Sequence, residues 1–353
     1  MLSRLRLWLE GQGLSTALVT RPVSIRYLTG FAAEPHERLL ALLVRPDSAA
    51  LIVPALEEAN AARHAAGVEV TAWQDGEDAL GVLRAALGRP ERLAVEKDHL
   101  TVGRAEALGV EELVDAGELI YGLRAVKSAA ELERLREAAR RTDAVTARIA
   151  GELRTGMTEM EVAARIEALI RAQGCEPSFG TLVQSGPNSA LPHLQPSQRR
   201  IARGDLVLLD FGCRFEGYCA DTTRMAVAGP PDQRQREMHA AVLAAHDAAV
   251  AAIRPGAACG EVDAAARRVI RAAGQGDAFI HRTGHGLGLE AHEEPNLAPG
   301  SERRLEAGNV VTVEPGVYFP GWGGVRIEDD VAVTAAGAEV LTAAPREFMV
   351  IPS

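Results

Sequence analysis

Short apolar runs alternate with amphipathic stretches in the first third of the chain, and this alternation predicts strands and helices in turn. Residues 1–12 show the pattern of an amphipathic helix. Apolar runs typical of strands occur at 17–19, 39–44, 50–53 and 93–96. Pro54 is expected to open a helix that extends to residue 66, and another helix is expected over 75–87. Alternating strands and helices indicate a small α/β domain over residues 1–122.

A longer helical pattern opens the second part of the chain. Ser128 and Glu131 have the spacing of a capping box, and apolar residues follow them at helical intervals. The segment from Tyr121 to Lys127 is therefore the predicted domain boundary. A second domain is expected over residues 127–353.

The second part of the chain also repeats itself. Residues 156–174 align with residues 256–274 at a spacing of 100, and Glu161 then matches Glu261. Ala-rich helices produce such matches by chance in some chains. The alternative, which we adopt as a hypothesis, is an internal duplication into two α+β halves with helices outside and sheet inside.

Five residues with side chains suited to metal binding lie at the ends of apolar, strand-like runs, with Gly or Pro close by. They are Asp210, Asp221, His285, Glu314 and Glu328. Taken singly, each motif is typical of a turn or a tight loop. Taken together, four carboxylates and one imidazole would be costly to assemble without cations between them. An oxygen-rich set with one nitrogen suits Mn²⁺, Co²⁺ or Zn²⁺, and two ions rather than one.

Composition narrows the functional classes. The 353 residues are 47% hydrophobic and carry a net charge of −10, from 38 basic and 48 acidic residues, which argues against a nucleic-acid binder. Neither a signal-peptide core nor an apolar run of about eighteen residues occurs, so no membrane span is expected. Cysteines 175, 213, 219 and 259 lack metal-binding spacing, which indicates free thiols and a cytoplasmic location.

Seven separated motifs together resemble those of the pita-bread metallopeptidases, which include methionine aminopeptidase, aminopeptidase P and prolidase. The matching runs begin at Ser185, Asp210, Asp221, Gly284, His292, Glu314 and Arg326. The resemblance is close over residues 127–353 and looser before them. It implies an α+β fold in which a small α/β domain precedes a pita-bread catalytic domain with an internal pseudo-twofold duplication.

The resemblance also implies how the five ligands share two metal ions. Asp221 and Glu328 would bridge the ions, Asp210 would complete one, and His285 with Glu314 would complete the other. Two divalent ions lower the pKa of a water bound between them, which makes it a nucleophile at neutral pH. Glu314 is expected to accept and pass on the proton of that water.

Four further residues, in or near the matching motifs, are expected to act around the metals. His193 and His292 would donate to the substrate's carbonyl oxygen as negative charge develops on it. His281 precedes His285 by four residues and is expected to line the same cleft. Arg326 lies two residues before Glu328 and is expected, on the same strand face, to hold ligand carboxylates. The alternatives are core or surface positions.

The N-terminal domain distinguishes the branches of the family. Methionine aminopeptidases usually lack it, and creatinases have it but lack the metal ligands, so the resemblance implies a peptidase that cleaves the bond before proline. Phe179 and Tyr318 are candidates for an apolar proline pocket, although core packing is an equal alternative. A homodimer formed through the N-terminal domain is also implied. A hypothesis from another class is a non-catalytic peptide-binding member of the fold.

The length of the peptide substrate depends on how a free C-terminal carboxylate is bound. Many prolidases have an Arg four residues after the histidine that corresponds to His292, but this chain has Asn296 there. Because Arg binds carboxylates in a bidentate way, we expect an Arg of the N-terminal domain to take this role. Arg38, which lies just before the strand-like run at 39–44, is expected ahead of Arg26 and Arg45. We therefore predict a prolidase that takes Xaa-Pro dipeptides. Aminopeptidase P, acting on longer Xaa-Pro peptides, is the alternative.

Overall fold

The computed structural model describes residues 1–65 and 67–352. Contacts between Cα atoms divide the chain into two compact units, Met1–Arg124 and Ala125–Ser353. None of the helices within the described residues is long and apolar enough to cross a membrane.

The N-terminal unit is a six-stranded sheet accompanied by helices. Its strands are β1 (Ala17–Val19), β2 (Ala41–Val44), β3 (Ala49–Pro54), β4 (Glu69–Trp73), β5 (Arg92–Val95) and β6 (Glu112–Asp115). Its helices are α1 (Leu2–Gly11), α2 (Pro22–Thr29), α3 (Glu58–His64), α4 (Ala79–Leu87), α5 (Val102–Leu108) and α6 (Gly117–Ala125). The strand order is β4-β3-β2-β1-β5-β6.

Strand β2 shows why this sequence makes a sheet that is covered on both faces. Leu42 and Val44 belong to one apolar cluster, whereas Ala41 and Leu43 belong to another. Successive side chains of a strand point to opposite faces, so a fully apolar run fills two cores at once. The α/β character expected from the sequence is confirmed.

Two predicted helix starts are wrong. Pro54 is the last residue of β3, where it pairs in register with Trp73, and a 3₁₀ turn at Ala55–Glu57 separates it from α3. A proline has no N–H to donate to the ladder, so it is tolerated at the end of a strand rather than in its interior. Helix α4 begins at Ala79 rather than near residue 75, because the Asp78 carboxylate accepts the N–H of Gly81 as a cap.

The C-terminal unit combines four long helices with several small sheets. The helices are α7 (Ala129–Ala150), α8 (Glu159–Ala172), α9 (Gln233–Ala252) and α10 (Cys259–Ala272). The first strands are β7 (Glu176–Pro177), β8 (Leu182–Ser185), β9 (Leu206–Phe211), β10 (Cys213–Phe215), β11 (Tyr218–Cys219) and β12 (Thr222–Ala228). The others are β13 (Gly284–Gly286), β14 (Glu293–Leu297), β15 (Val310–Val313), β16 (Gly316–Phe319), β17 (Gly323–Arg326), β18 (Asp329–Thr334), β19 (Gly337–Val340) and β20 (Met349–Ile351).

Two sheets of this unit contain or adjoin the candidate ligands. One has the order β20-β12-β9-β8 and the other the order β14-β13-β15-β18-β19. Strands β16 and β17 form a separate hairpin, and β11-β10-β7 form a three-stranded sheet. The predicted capping box at Ser128 and Glu131 is present at the start of α7.

The two halves of this unit repeat the same local structure. Helices α8 and α10 each have 14 residues and begin at Glu159 and Cys259, 100 positions apart. Just before them, the N–H of Gly156 donates to Ile201 and the N–H of Gly256 donates to Leu305, both at 2.8 Å. In the same way, the guanidinium of Arg200 donates to the carbonyl of Gly156, and that of Arg304 donates to the carbonyl of Gly256. Backbone contacts thus repeat together with the helices, which chance similarity of Ala-rich sequences does not explain.

Candidate metal centre

The first two carboxylates come from neighbouring antiparallel strands. Asp210 is the penultimate residue of β9, where it pairs in register with Thr223 of β12. Asp221 immediately precedes β12, and its N–H donates to the Asp330 carboxylate at 3.0 Å. Both aspartates are buried. The predicted pair of strands, each bringing one carboxylate, therefore forms.

His285 is the middle residue of β13 and is presented by two glycines that contact neighbouring backbone. A Cβ at Gly284 would overlap the carbonyl of Thr312, and a Cβ at Gly286 would overlap the carbonyl of Glu294. The Nδ1 atom of His285 lies 3.1 Å from the carbonyl oxygen of Gly286, which can only accept, so Nδ1 carries the proton. Nε2 is thereby left with a free lone pair, as a metal ligand requires.

Glu314 directly follows β15, as the sequence predicts. Its Oε1 atom lies 3.4 Å from Nε2 of His285, and Oδ2 of Asp221 lies 4.0 Å from the same nitrogen. When both carboxylates are charged, these three atoms have lone pairs and no proton between them, so they repel one another. A cation placed among them would remove that repulsion.

Glu328 departs from the predicted position on a strand. Strand β17 ends at Arg326 and β18 begins at Asp329, so Glu328 lies in a break. The break is stabilised from β12: the N–H of Glu328 donates to the carbonyl of Thr223, and the carbonyl of Glu328 accepts from the buried guanidinium of Arg224. Its side chain accepts a hydrogen bond of 2.6 Å from the Thr223 hydroxyl.

Burial and mutual repulsion make the site unfavourable for charged carboxylates without cations. Burial raises the pKa of Asp221 and of Glu328 well above the usual range, and neighbouring carboxylates raise both further. The pKa of Glu314 rises to about 7, mainly through burial. Burial lowers the pKa of His285 to about 3, which keeps the imidazole neutral.

The donor set fits divalent metal ions. Ligand atoms of Asp221, His285 and Glu328 lie within 4.8 Å of one another. The Oδ1 atoms of Asp210 and Asp221 are buried and have no hydrogen-bond partner among the described residues. Buried carboxylate oxygens are normally paired, so these two are available for coordination. Carboxylate oxygens with one imidazole nitrogen suit divalent ions of the first transition row and zinc.

Arg326 links the ligands to a chain of hydrogen bonds. Its guanidinium donates to the Asp210 carboxylate, to the Thr223 hydroxyl at 2.9 Å and to the Tyr318 hydroxyl at 3.0 Å. Its Nε lies 3.9 Å from the Glu314 carboxylate. Arg326 ends β17, so the expectation that it shares a strand face with Glu328 is wrong. It nevertheless contacts a candidate ligand directly.

His281 and Tyr318 extend this chain. Nδ1 of His281 lies 2.7 Å from the carbonyl oxygen of Arg282, so Nδ1 carries the proton and Nε2 accepts from the Tyr318 hydroxyl at 2.9 Å. Burial lowers the pKa of His281 to about 4, with a further contribution from the charge of Arg326. Tyr318 is buried, with its hydroxyl engaged on both sides by Arg326 and His281.

The two other predicted histidines, His193 and His292, are both exposed. The ring of His292 lies 4.2 Å, centroid to centroid, from the ring of His285. Burial raises the pKa of Asp210, whereas the charges of Arg326, His193 and His292 lower it. Both histidines therefore interact with the same buried carboxylate.

The remaining positions are the two other predicted substrate-binding residues, Phe179 and Arg38, and Asn296, which stands where the family resemblance leads one to expect Arg. Phe179 is half-buried after β7. Arg38, in the N-terminal unit, makes a bidentate pair with Asp75 at 2.9 Å for both bonds and also contacts Glu37 at 3.1 Å. Asn296 donates to the Glu294 carboxylate at 2.8 Å.

The structure brings in residues that the sequence analysis did not single out. Thr223 bonds both Arg326 and Glu328, and Thr312 accepts from the N–H of His285. Strand alternation was a usable signal, because Thr223 lies two residues after Asp221 and Thr312 two residues before Glu314. Arg282 had no such signal. Its charge lowers the pKa values of both His292 and Glu314, whereas burial, the larger effect, lowers the first and raises the second.

Comparisons with known proteins agree with this geometry. Residues 133–335 match the model of metallopeptidase family M24, and residues 1–126 match that of the creatinase/prolidase N-terminal domain. An uncharacterized peptidase of Staphylococcus saprophyticus is 40% identical over 95% of this chain and 96% of its own length. The structure of the Xaa-Pro dipeptidase from Bacillus anthracis is 37% identical, covers 99% of both chains and has a TM-score of 0.92. That of the X-Pro aminopeptidase from Thermotoga maritima is 31% identical, with 99% of both chains covered and a TM-score of 0.91.

Proposed function

Because this chain belongs to metallopeptidase family M24, with a creatinase/prolidase N-terminal domain, we propose that it is a prolidase that hydrolyses Xaa-Pro dipeptides. The observation that carries the proposal is its similarity, over 99% of both chains, to an Xaa-Pro dipeptidase. The carboxylate and imidazole side chains that the chemistry needs are all present, which supports a catalytic rather than a purely binding role.

We propose that five side chains hold two divalent ions, of Mn, Co or Zn. They are Asp210, Asp221, His285, Glu314 and Glu328. Their support is the convergence of lone pairs around Nε2 of His285 and the two unpartnered aspartate oxygens. When bound, such ions supply Lewis acidity and lower the pKa of a coordinated water.

The chain's own residues would then handle protons and developing charge. Glu314 is proposed to accept the proton of the attacking water, because its side chain is partly exposed and lies beside the other ligands. His193 and His292 are proposed to donate to the carbonyl oxygen of the scissile bond as it becomes negative. Both are exposed, as groups that must reach a substrate need to be.

Arg326, Tyr318 and His281 are proposed to keep this arrangement rigid. The hydrogen bonds from Arg326 to Asp210 and to Tyr318, and from Tyr318 to His281, form one continuous chain. Residues held in this way lose little freedom when the substrate binds. Tyr318 and Phe179 stay candidates for the wall that contacts the proline ring.

The preference for dipeptides depends on how the free carboxylate of the substrate is bound. Arg38 stays the predicted partner of the free carboxylate of a dipeptide. The likeness to an X-Pro aminopeptidase supports the alternative, aminopeptidase P.

We also propose that the protein forms a homodimer and that its domain boundary lies between residues 122 and 127. We further propose a reducing, cytoplasmic location, which the four buried free cysteines favour.

The test is hydrolysis of Ala-Pro and of Ala-Pro-Ala by purified protein supplied with Mn²⁺, Co²⁺ or Zn²⁺. We expect release of proline from the dipeptide at a higher kcat/KM than cleavage of the tripeptide. A wild-type enzyme that prefers the tripeptide would assign it to the aminopeptidase P type. Absence of hydrolysis of both peptides with every metal would contradict the proposal as a whole.

A further inference from the structure

We propose that Gln184 is a positioning residue that fixes the backbone on either side of His193. The inference rests on the proposed function, because it takes His193 to be catalytic. Gln184 lies on β8, pairs in register with Leu208 of β9 and is fully buried.

The side chain of Gln184 bonds to both residues that flank His193. Its Nε2 donates to the carbonyl of Pro192 at 3.1 Å and to the carbonyl of Leu194 at 3.0 Å. A side-chain amide nitrogen has two hydrogens, and each is used once. One planar amide group therefore holds the carbonyls of the two residues that flank His193 in the sequence.

The orientation of the amide follows from its surroundings. A flipped amide would place an oxygen against two carbonyl oxygens, which would repel it, so the nitrogen must face Pro192 and Leu194. The Oε1 atom is then buried without a hydrogen-bond partner among the described residues. Buried polar atoms are usually satisfied, so this unpartnered oxygen lowers the stability of the fold.

A second buried side chain holds the two ends of the same segment. The Glu159 carboxylate accepts from the N–H and hydroxyl of Ser185 at 2.6 and 2.8 Å, and from those of Ser197 at 3.0 and 2.6 Å. It also accepts from the Asn188 amide at 3.0 Å. Glu159 thus closes the loop that begins at Ser185 and ends at Ser197, and Gln184 fixes the point within it from which His193 projects.

Such support matters because the His193 side chain is exposed. Core packing therefore does little to restrict it, and its direction depends on the backbone that carries it. A displacement of about 1 Å in a catalytic group can lower the rate roughly 100-fold. Gln184 would act by keeping the backbone of His193 in place, without contacting the substrate.

The test uses Gln184→Met, which keeps the length of the side chain and removes its donor. We expect kcat for Ala-Pro to fall roughly 10- to 100-fold, with little change in KM and in metal content. Gln235→Met is the matched control, because Gln235 is also buried and its Nε2 also donates to a backbone carbonyl, that of Gly204 at 2.8 Å. The control is expected to retain wild-type kcat.

The decisive measurement combines Gln184→Met with His193→Ala. If Gln184 acts through His193, the first substitution should change kcat by less than about threefold once the histidine is absent. An equal loss in both backgrounds would overturn the positioning role and leave the role of His193 intact. Full activity of His193→Ala alone would overturn both. If Gln184→Met does not fold, Gln184→Asn, which withdraws the amide by one methylene, is expected to show the same dependence on His193.

A readout independent of hydrolysis separates this proposal from the proposed function. In histidine-labelled protein, which contains nine histidines, the His193 ring resonance is assigned with His193→Ala. We expect Gln184→Met to shift or broaden that resonance and Gln235→Met to leave it unchanged. An unperturbed resonance in Gln184→Met would refute the positioning role, even in a protein that does not cleave Xaa-Pro peptides.

Discussion

Replacing Thr223 by Val tests whether a single hydroxyl controls the affinity of the metal centre. The Thr223 hydroxyl donates to the Glu328 carboxylate at 2.6 Å and accepts from Nε of Arg326 at 2.9 Å. Valine has nearly the same shape and keeps the β-branched character that suits a strand. The substitution therefore removes two hydrogen bonds and little else.

The expected magnitude follows from the charge of the acceptor. A hydrogen bond to a charged group contributes about 1.5–3 kcal/mol, which corresponds to roughly 10- to 150-fold in an equilibrium constant. Thr223 makes the bond with or without metal, so only the part that orients Glu328 for coordination counts toward affinity. Loss of partners behind metal ligands typically weakens binding about 10- to 100-fold. We expect Thr223→Val to weaken metal binding by an amount near the lower end of this range, about tenfold.

The assay is titration of metal-free protein with Mn²⁺ or Co²⁺ by calorimetry, followed by measurement of the bound metal. Thr222→Val is the matched control, because the hydroxyl of Thr222 donates to the backbone carbonyl of Glu328 at 3.2 Å and not to its carboxylate. The control should lose some thermal stability and keep wild-type affinity. Equal affinities in wild type and Thr223→Val would refute the argument, as would an equal loss in both variants.

The remaining predictions concern the metals, the histidines and substrate length. Purified protein should bind up to two divalent ions, chelation should abolish hydrolysis, and Asp221→Ala should lose more metal than Asp210→Ala; full activity after chelation would contradict this. His193→Ala and His292→Ala should each lower kcat roughly 10²- to 10³-fold with metal content near wild type, and metal loss would make them ligands instead. Arg38→Ala should lower kcat/KM for Ala-Pro about tenfold relative to Ala-Pro-Ala, and an unchanged ratio would remove Arg38 from the substrate site.

Much of the fold and the candidate ligand set was predictable because both depend on local pattern. Asp210 and Glu314 terminate apolar runs that become strands β9 and β15, so their places at strand ends follow from the sequence. The repeat at a spacing of 100 predicted that α8 and α10 would match. In these cases, periodicity and the position of a polar residue at the end of an apolar run were sufficient.

The incorrect predictions at Glu328 and Arg326 concern backbone whose conformation depends on distant contacts. Val325 to Asp329 has the apolar pattern of one strand, yet Glu328 lies in a break stabilised by Arg224 and Thr223, more than 100 positions earlier. The same holds for Arg326, whose contact with Asp210 spans 116 positions. Such contacts have no local signature, so a single sequence does not reveal them.

The selectivity for peptide length depends on which cation is free to meet a carboxylate. Arg38 already forms a bidentate pair with Asp75, so a substrate carboxylate would have to replace that partner or share the guanidinium with it. Asn296 bonds Glu294, which pairs with Arg303 at 3.2 Å, so position 296 belongs to a separate polar chain. Arg282 is half-buried, and its charge acts on Glu314 and His292. A positive charge that acts on candidate catalytic groups attracts a carboxylate without first breaking a bidentate pair. If Arg38→Ala leaves the preference for dipeptides unchanged, Arg282 is therefore the cation that best explains it.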